Sequence, residues 1–135
     1  MTIDAALRER VRTRAGLRCE YCRVPEQFDP LPFQIDHIIA RKHHGASVER
    51  NLSLSCFACN NHKGPNIAGI DPVSAEIVAL FDPRREDWDS HFQWKEGELV
   101  GLTPAGRATV DVLCINLPRR LAFRKALIAE GVSPR

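Results

Sequence analysis

Two Cys-x2-Cys pairs, Cys19 with Cys22 and Cys56 with Cys59, constrain this chain more than any other feature. Each pair bends the backbone tightly enough to present two thiolates to one ion, and together they supply the four corners of a tetrahedron. Zn2+ held by four sulfurs keeps no position for water, so the expected ion is structural. It would tie the knuckle at Cys19 and Cys22 to whatever element starts at Cys56. Zinc binding of this kind is worth roughly 10–16 kcal/mol in zinc-finger peptides, enough to dominate the stability of a small domain. A redox Cys-x-x-Cys would need a βαβ context that the pattern lacks. The fifth cysteine, Cys114, stands alone on an expected apolar helix and reads as core.

The chain has 135 residues, which predicts a single domain over 1–135. No apolar run reaches membrane-spanning length and the N-terminus carries no signal-peptide core, so a cytoplasmic, non-membrane location is expected. In a reducing compartment a disulfide framework is not. The formal net charge is only +2, so any nucleic-acid binding must come from local basic clusters rather than a whole-molecule field. Nothing in the residues reads on oligomeric state.

Hydrophobic spacing predicts a helix over 3–16, with Ile3, Leu7 and Val11 on one face. Its other faces carry Arg8, Arg10, Arg12 and Arg14, either a solvated face or one that meets phosphates. Residues 33–39 read as a strand, 40–50 as a polar loop, 51–55 as a second strand, and 57–63 as a short helix closed by Gly64-Pro65. That is a ββα unit of about thirty residues. Beyond Asp71-Pro72 the pattern predicts a strand over 77–81 and a short helix or turn over 85–92 carrying Trp88. A hairpin turning at Gly97 should follow, then helices from Thr103-Pro104 to about Ile115 and from Pro118 to Gly131.

The chemistry-bearing residues sit inside the ββα unit. Asp36 and His37 interrupt an apolar strand, where charge and imidazole are costly unless something binds them. Strand neighbours face opposite ways, so one can hold a cation while the other meets water from another side. Asp36 offers a carboxylate oxygen and Asn60 a carboxamide oxygen, both suited to Mg2+ or Mn2+. His37, with an ordinary pKa of about 6.5, can take a proton from water at neutral pH. Asn51, at the start of the second strand, is placed to brace either the loop or the imidazole. Arg41, Lys42 and Lys63 either grip flanking phosphates or are solvated loop cations.

The run Cys19-x-x-Cys22 … Ile35-Asp36-His37-Ile38 … Asn51-Leu52-Ser53-Leu54-Ser55-Cys56-x-x-Cys59-Asn60-x-x-Lys63 resembles the zinc-containing HNH endonucleases. The resemblance covers about residues 5–65, and Leu80 to Ala108 also resembles the C-terminal extension of small free-standing bacterial and phage-type members. It implies an α+β fold: a zinc-stapled ββα-metal (HNH, His-Me finger) core with an N-terminal helix, extended over 70–135 by short strands and two helices. It further implies Asp36 and Asn60 as ligands of one catalytic divalent cation, His37 as general base and Asn51 as the middle motif Asn. The last motif position, often His in the family, is Asn60 here, and His62 lies two residues on. The implied activity is hydrolysis of DNA to 5′-phosphate and 3′-hydroxyl ends with little sequence preference, double-stranded DNA being the expected substrate and RNA an open one. The alternative is a zinc-stabilised nucleic-acid-binding module that never cuts.

Overall fold

The computed structural model describes residues 3–133. Helix α1, Ala5–Arg14, is shorter at both ends than its hydrophobic stripe. Asp4 caps it by accepting from the Leu7 N–H at 2.8 Å, and past the C-cap Ala15 the chain turns at Gly16 with a φ of 66°. Its arginines mostly turn inward to acids. Arg10 meets Glu49 at 3.2 Å, Arg12 meets Glu26 at 2.8 Å, and Arg14 reaches Glu49 at 3.3 Å. Arg12 and Arg14 are half-buried in their pairs, while Arg8 and Arg10 stay exposed, so the phosphate-facing alternative for α1 keeps two of its four charges.

Strands β1, Gln34–His37, and β2, Leu52–Ser55, pair antiparallel with Asp36 opposite Ser53 and His37 opposite Leu52. Both are shorter than the apolar runs that announced them. Helix α2, Phe57–Lys63, follows directly, capped at its start by the Cys56 sulfur, which accepts from the Cys59 N–H at 3.3 Å. The knuckle joins the second strand of this unit through Glu20, whose N–H donates to the Leu54 carbonyl at 2.9 Å.

The second half holds one strand that hydrophobic patterning does not reveal. Strand β3, Ala68–Ile70, pairs antiparallel with β4, Ile77–Ala79, and helix α4 (Pro104–Val112) lies across both. The expected strand over 77–81 stops at Ala79 because Leu80 and Phe81 turn into the core, where the Phe81 N–H donates to Thr109 Oγ1 at 2.9 Å. Helix α3 is Trp88–His91. Strands β5, Phe92–Lys95, and β6, Glu98–Gly101, form the hairpin, and Glu96 and Gly97 turn it with φ of 53° and 86°. Positive φ at both turn residues matches the right-handed twist of the flanking strands. Thr103 caps α4 as its sequence announced, with Pro104 in the first turn. Cys114 corrects an expectation. It lies past the end of α4, half-buried, with a φ of 50°, not on the apolar face of a helix. Helix α5, Pro118–Ala129, closes the described chain.

One apolar cluster draws on both halves: Val11, Tyr21, Leu52 and Leu54 from the first, Phe81, Leu99, Leu113 and Ile115 from the second. Polar ties cross the same boundary. Trp88 Nε1 donates to the Tyr21 carbonyl at 2.9 Å, and Arg84 pairs with Glu20 beside the knuckle. Among the described residues no helix is long and apolar enough to cross a membrane. The described residues form an α+β architecture, three two-stranded sheets with helices packed around them.

Candidate active site and sulfur cage

The four motif cysteines meet. Their Sγ atoms all lie within 4.8 Å of one another, all four residues are buried, and Cys22 Sγ is 3.8 Å from Cys56 Sγ. Four sulfurs about 2.3 Å from a central ion stand about 3.8 Å apart along each edge, so the cage has the dimensions of a tetrahedral zinc site. The donor set fits Zn2+. Contacts among the sulfurs hold the Cys22 thiol well below its ordinary range, and Arg120 adds to the effect. The same contacts and burial push the Cys56 and Cys59 thiols up, and a bound metal would require all four as thiolates.

The strand β1 carries the second candidate cluster, and β1 and α2 build its seam together. Gln34 and Asp36, two apart on the strand, share a face; Asn60 and Lys63, three apart on the helix, share another. The faces meet pairwise. Asn60 Nδ2 donates to Gln34 Oε1, and Lys63 Nζ lies 3.1 Å from Asp36 Oδ2 and donates to the His37 carbonyl at 3.1 Å. Tyr21, fully buried, donates its hydroxyl to Asp36 Oδ2 at 3.4 Å. Burial pushes the Asp36 carboxyl up to about 6, with Lys63 and Tyr21 pulling against it.

Lys63 corrects the sequence reading. Expected at flanking phosphates, it is 1% exposed and its charge is spent on Asp36. A buried carboxylate in a seam this dry needs a counter-charge, and the closest cation on α2 provides it. Arg41 and Lys42 are exposed, on the 3-10 turn Arg41–His43. His62, two positions from Asn60 on α2, is turned away from the Asn60 side of the helix by helical geometry.

His37 points away from Asp36, as strand alternation demands. Its Nε2 lies 2.8 Å from Ser47 Oγ in the loop that joins β1 to β2. The imidazole pKa is lowered, first by burial and then by the nearby charges of Arg41 and Lys63, so the ring is neutral at neutral pH. Asn51 braces the loop rather than the ring. Its Oδ1 accepts from the Ile39 N–H at 2.9 Å, and its Nδ2 donates to the carbonyls of Ile39 at 3.0 Å and Ala46 at 2.9 Å. The loop folds so tightly over these atoms that a Cβ at Gly45 would stand 1.7 Å from the Ile39 oxygen. Only glycine fits there.

For the divalent cation, the donor chemistry is a carboxylate at Asp36 and a carboxamide at Asn60 on one seam. The Lys63 ammonium already pairs with Asp36, while Asn60 bonds Gln34. The residues fit a hard ion, on condition that Lys63 shares or yields the carboxylate. Beside Lys63 opens a cavity of about 400 Å3 whose walls, Ile38, Ile39 and Ile67 on one side and Phe81, Asp82 and Arg85 on the other, come from both halves.

Four contributors escaped the sequence reading: Tyr21, Gln34, Ser47 and Arg120. Gln34 had a signal, being two residues from Asp36 on an expected strand and so on the same face. The others had none, because nothing local marks which distant side chain a fold brings to a site.

Comparison with known proteins places residues 19–66 under the family model described as HNH endonuclease. Septu protein PtuB of Bacillus thuringiensis is 26% identical over 113 residues, covering 82% of this chain and 41% of that protein. The chain thus spans less than half the length of this relative. No solved structure matches the chain.

Proposed function

We propose that the protein, whose residues 19–66 match the family model described as HNH endonuclease, is a metal-dependent endonuclease acting on DNA. The observation that carries this reading is the placement of His37. It is neutral, anchored at one nitrogen by Ser47, and set one strand position from the Asp36 carboxylate, which together with the Asn60 carboxamide on α2 offers oxygens that suit a divalent cation. We assign Nε2–H as the donor to Ser47 Oγ, which leaves the Nδ1 lone pair to take a proton from water. Asn51 fixes the loop that carries Ser47 and so fixes the ring. Exposed Arg41 and Lys42, on the same loop, hold the phosphates that flank the scissile one.

A divalent cation held by Asp36 and Asn60 would neutralise charge developing on the diester and on the leaving 3′ oxygen. Attack by the deprotonated water then releases 5′-phosphate and 3′-hydroxyl ends. The four cysteines, holding Zn2+, keep the hairpin and α2 in register and take no part in the chemistry.

The test is nicking of supercoiled plasmid with Mg2+, Mn2+ or EDTA, comparing wild type with His37→Ala at equal zinc content and equal DNA binding. Cleavage that needs the divalent ion and is lost in the variant supports the reading. Equal cleavage by both proteins overturns it.

A second reading draws on one observation, the Asp36–Lys63 pair. A carboxylate already neutralised by an ammonium does not need a divalent ion, which suits a zinc-stabilised module that binds nucleic acid without cutting. The same assay separates the two, since such a module retards DNA and leaves it intact under every ion.

A further inference from the structure

Four thiolates around a Zn2+ carry a net charge of −2, and this cage is sealed from water, each cysteine being between 0% and 3% exposed. Buried charge of that size needs an answer from the protein. One comes from the far end of the chain. Arg120, in the first turn of α5, places Nη2 3.0 Å from Cys59 Sγ and 3.9 Å from Cys56 Sγ. Its Nη1 donates to the carbonyls of Leu113 at 2.6 Å and Cys114 at 3.0 Å, just beyond the end of α4. A single side chain, 9% exposed, thereby joins the start of α2, the end of α4 and the start of α5.

The neighbouring Arg124 provides an internal contrast. It is also buried and also on α5, but its Nε donates to the Gly97 carbonyl at 2.8 Å and its Nη2 to Asn116 Oδ1 at 2.8 Å. It also faces the Trp94 ring at 5.7 Å. Its hydrogen bonds anchor α5 to the hairpin turn at Gly97 and to Asn116; only Arg120 of the two also bonds the sulfurs.

We propose that Arg120 is the built-in counter-ion of the zinc–thiolate centre, and that α5 docks on the ββα unit through the metal site rather than beside it. The proposal rests on the reading that the cage holds zinc. Donors to ligating atoms tune affinity: losing such a partner typically costs about 10–100-fold in metal binding. By reciprocity, a metal that binds more tightly when Arg120 is in place also strengthens the seating of α5. The C-terminal half is then not an independent addition to the core, because its last helix reports whether the staple is loaded.

The experiment uses the full chain and three variants, Arg120→Met, Arg120→Lys and Arg124→Met. Zinc content by elemental analysis comes first: a wild type that purifies and reconstitutes without one zinc per chain fails the zinc reading and the proposal with it. Given one zinc, affinity is read by competition with a chromophoric chelator, and sulfur donation by the thiolate-to-metal charge-transfer band of the Co2+ form. The expected result is zinc affinity weakened about 10–100-fold in Arg120→Met, partly restored in Arg120→Lys, with a displaced Co2+ band. Arg124→Met, which loosens α5 without touching sulfur, should leave affinity and band near wild type. Hydrogen exchange of 118–129 should speed up on chelation in wild type and be faster at the outset in Arg120→Met. Unchanged affinity and band in Arg120→Met, or equal losses in Arg120→Met and Arg124→Met, overturn the proposal while the zinc reading stands.

Discussion

The sulfur cage and the Asp36 seam are both buried, both anionic and both answered by one basic side chain from a helix, yet they are built in opposite ways. In the cage four ligands converge on a point and Arg120 approaches from outside, bonding sulfur without filling the centre. In the seam a single carboxylate meets the Lys63 ammonium directly. The cage keeps its shape for one tetrahedral ion and has no use without it. The seam is neutral as it stands, so an incoming cation competes with a resident charge. A structural site is committed to its metal by ligand count, whereas this candidate catalytic site is exchangeable by charge balance.

That contrast breaks or sharpens under substitution. The largest effect is expected at the cage: Cys59→Ser, or zinc stripping by a strong chelator, should abolish cooperative unfolding of the ββα unit, on the scale of the roughly 10–16 kcal/mol that zinc contributes in small peptides. Thermal melts followed by circular dichroism check this, and a stripped protein that melts unchanged removes the cage from the stability argument. Next comes His37→Ala, which should lower the cleavage rate about 10^2–10^4-fold with zinc content intact. The pH profile of the wild type carries a sign: burial, Arg41 and Lys63 disfavour the imidazolium. The base is therefore available down to below the ordinary histidine value of about 6.5, and the rising limb of rate against pH should have its midpoint under that value.

At the seam itself, Lys63→Met leaves a carboxylate buried without its partner, a change that costs about 3–5 kcal/mol when such a pair is broken. If the site is exchangeable, Mg2+ or Mn2+ should restore part of the lost stability in this variant and little in wild type; urea unfolding with and without the ion measures it. Asn51→Ala removes the partner of three backbone groups in the loop, at about 1–3 kcal/mol for each group left dry and less where water reaches it. It should slow cleavage through a misplaced Ser47 while leaving zinc binding untouched. The smallest effect is expected at a pair outside both sites. Arg107 grips Asp71 through two bonds of 2.8 Å and holds its carboxyl far below the usual range. A depressed carboxylate stabilises the fold above its unfolded value of about 3.9, and that contribution fades as pH falls through the folded value. Asp71→Asn should therefore flatten the acid limb of stability against pH and leave activity at neutral pH alone.

Elements that declare themselves locally were legible. Helix α2 spans the residues its pattern marks, Thr103-Pro104 opens α4, and the hairpin turns at Gly97, because caps and turns are short-range chemistry. Strand β3 was not legible. Ala68-Gly69-Ile70 carries no strand pattern, and it is a strand only because β4 pairs with it and Val112 of α4 closes over Gly69. Lys63 shows the same limit at the site: a lysine near a phosphate-binding motif reads as a surface cation until a buried acid is found beneath it.

By itself, the sequence determined the four sulfur ligands, the order of the ββα unit and the identity of the acid, imidazole and amides gathered around it. Fixed spacings and residue chemistry are enough for those. Only the tertiary structure decided which charges face one another: Lys63 on Asp36, Ser47 on His37, Arg120 on the sulfurs. Those partners lie between ten and sixty-four residues apart along the chain, and buried charge selects them by proximity in the folded core, which no local pattern encodes.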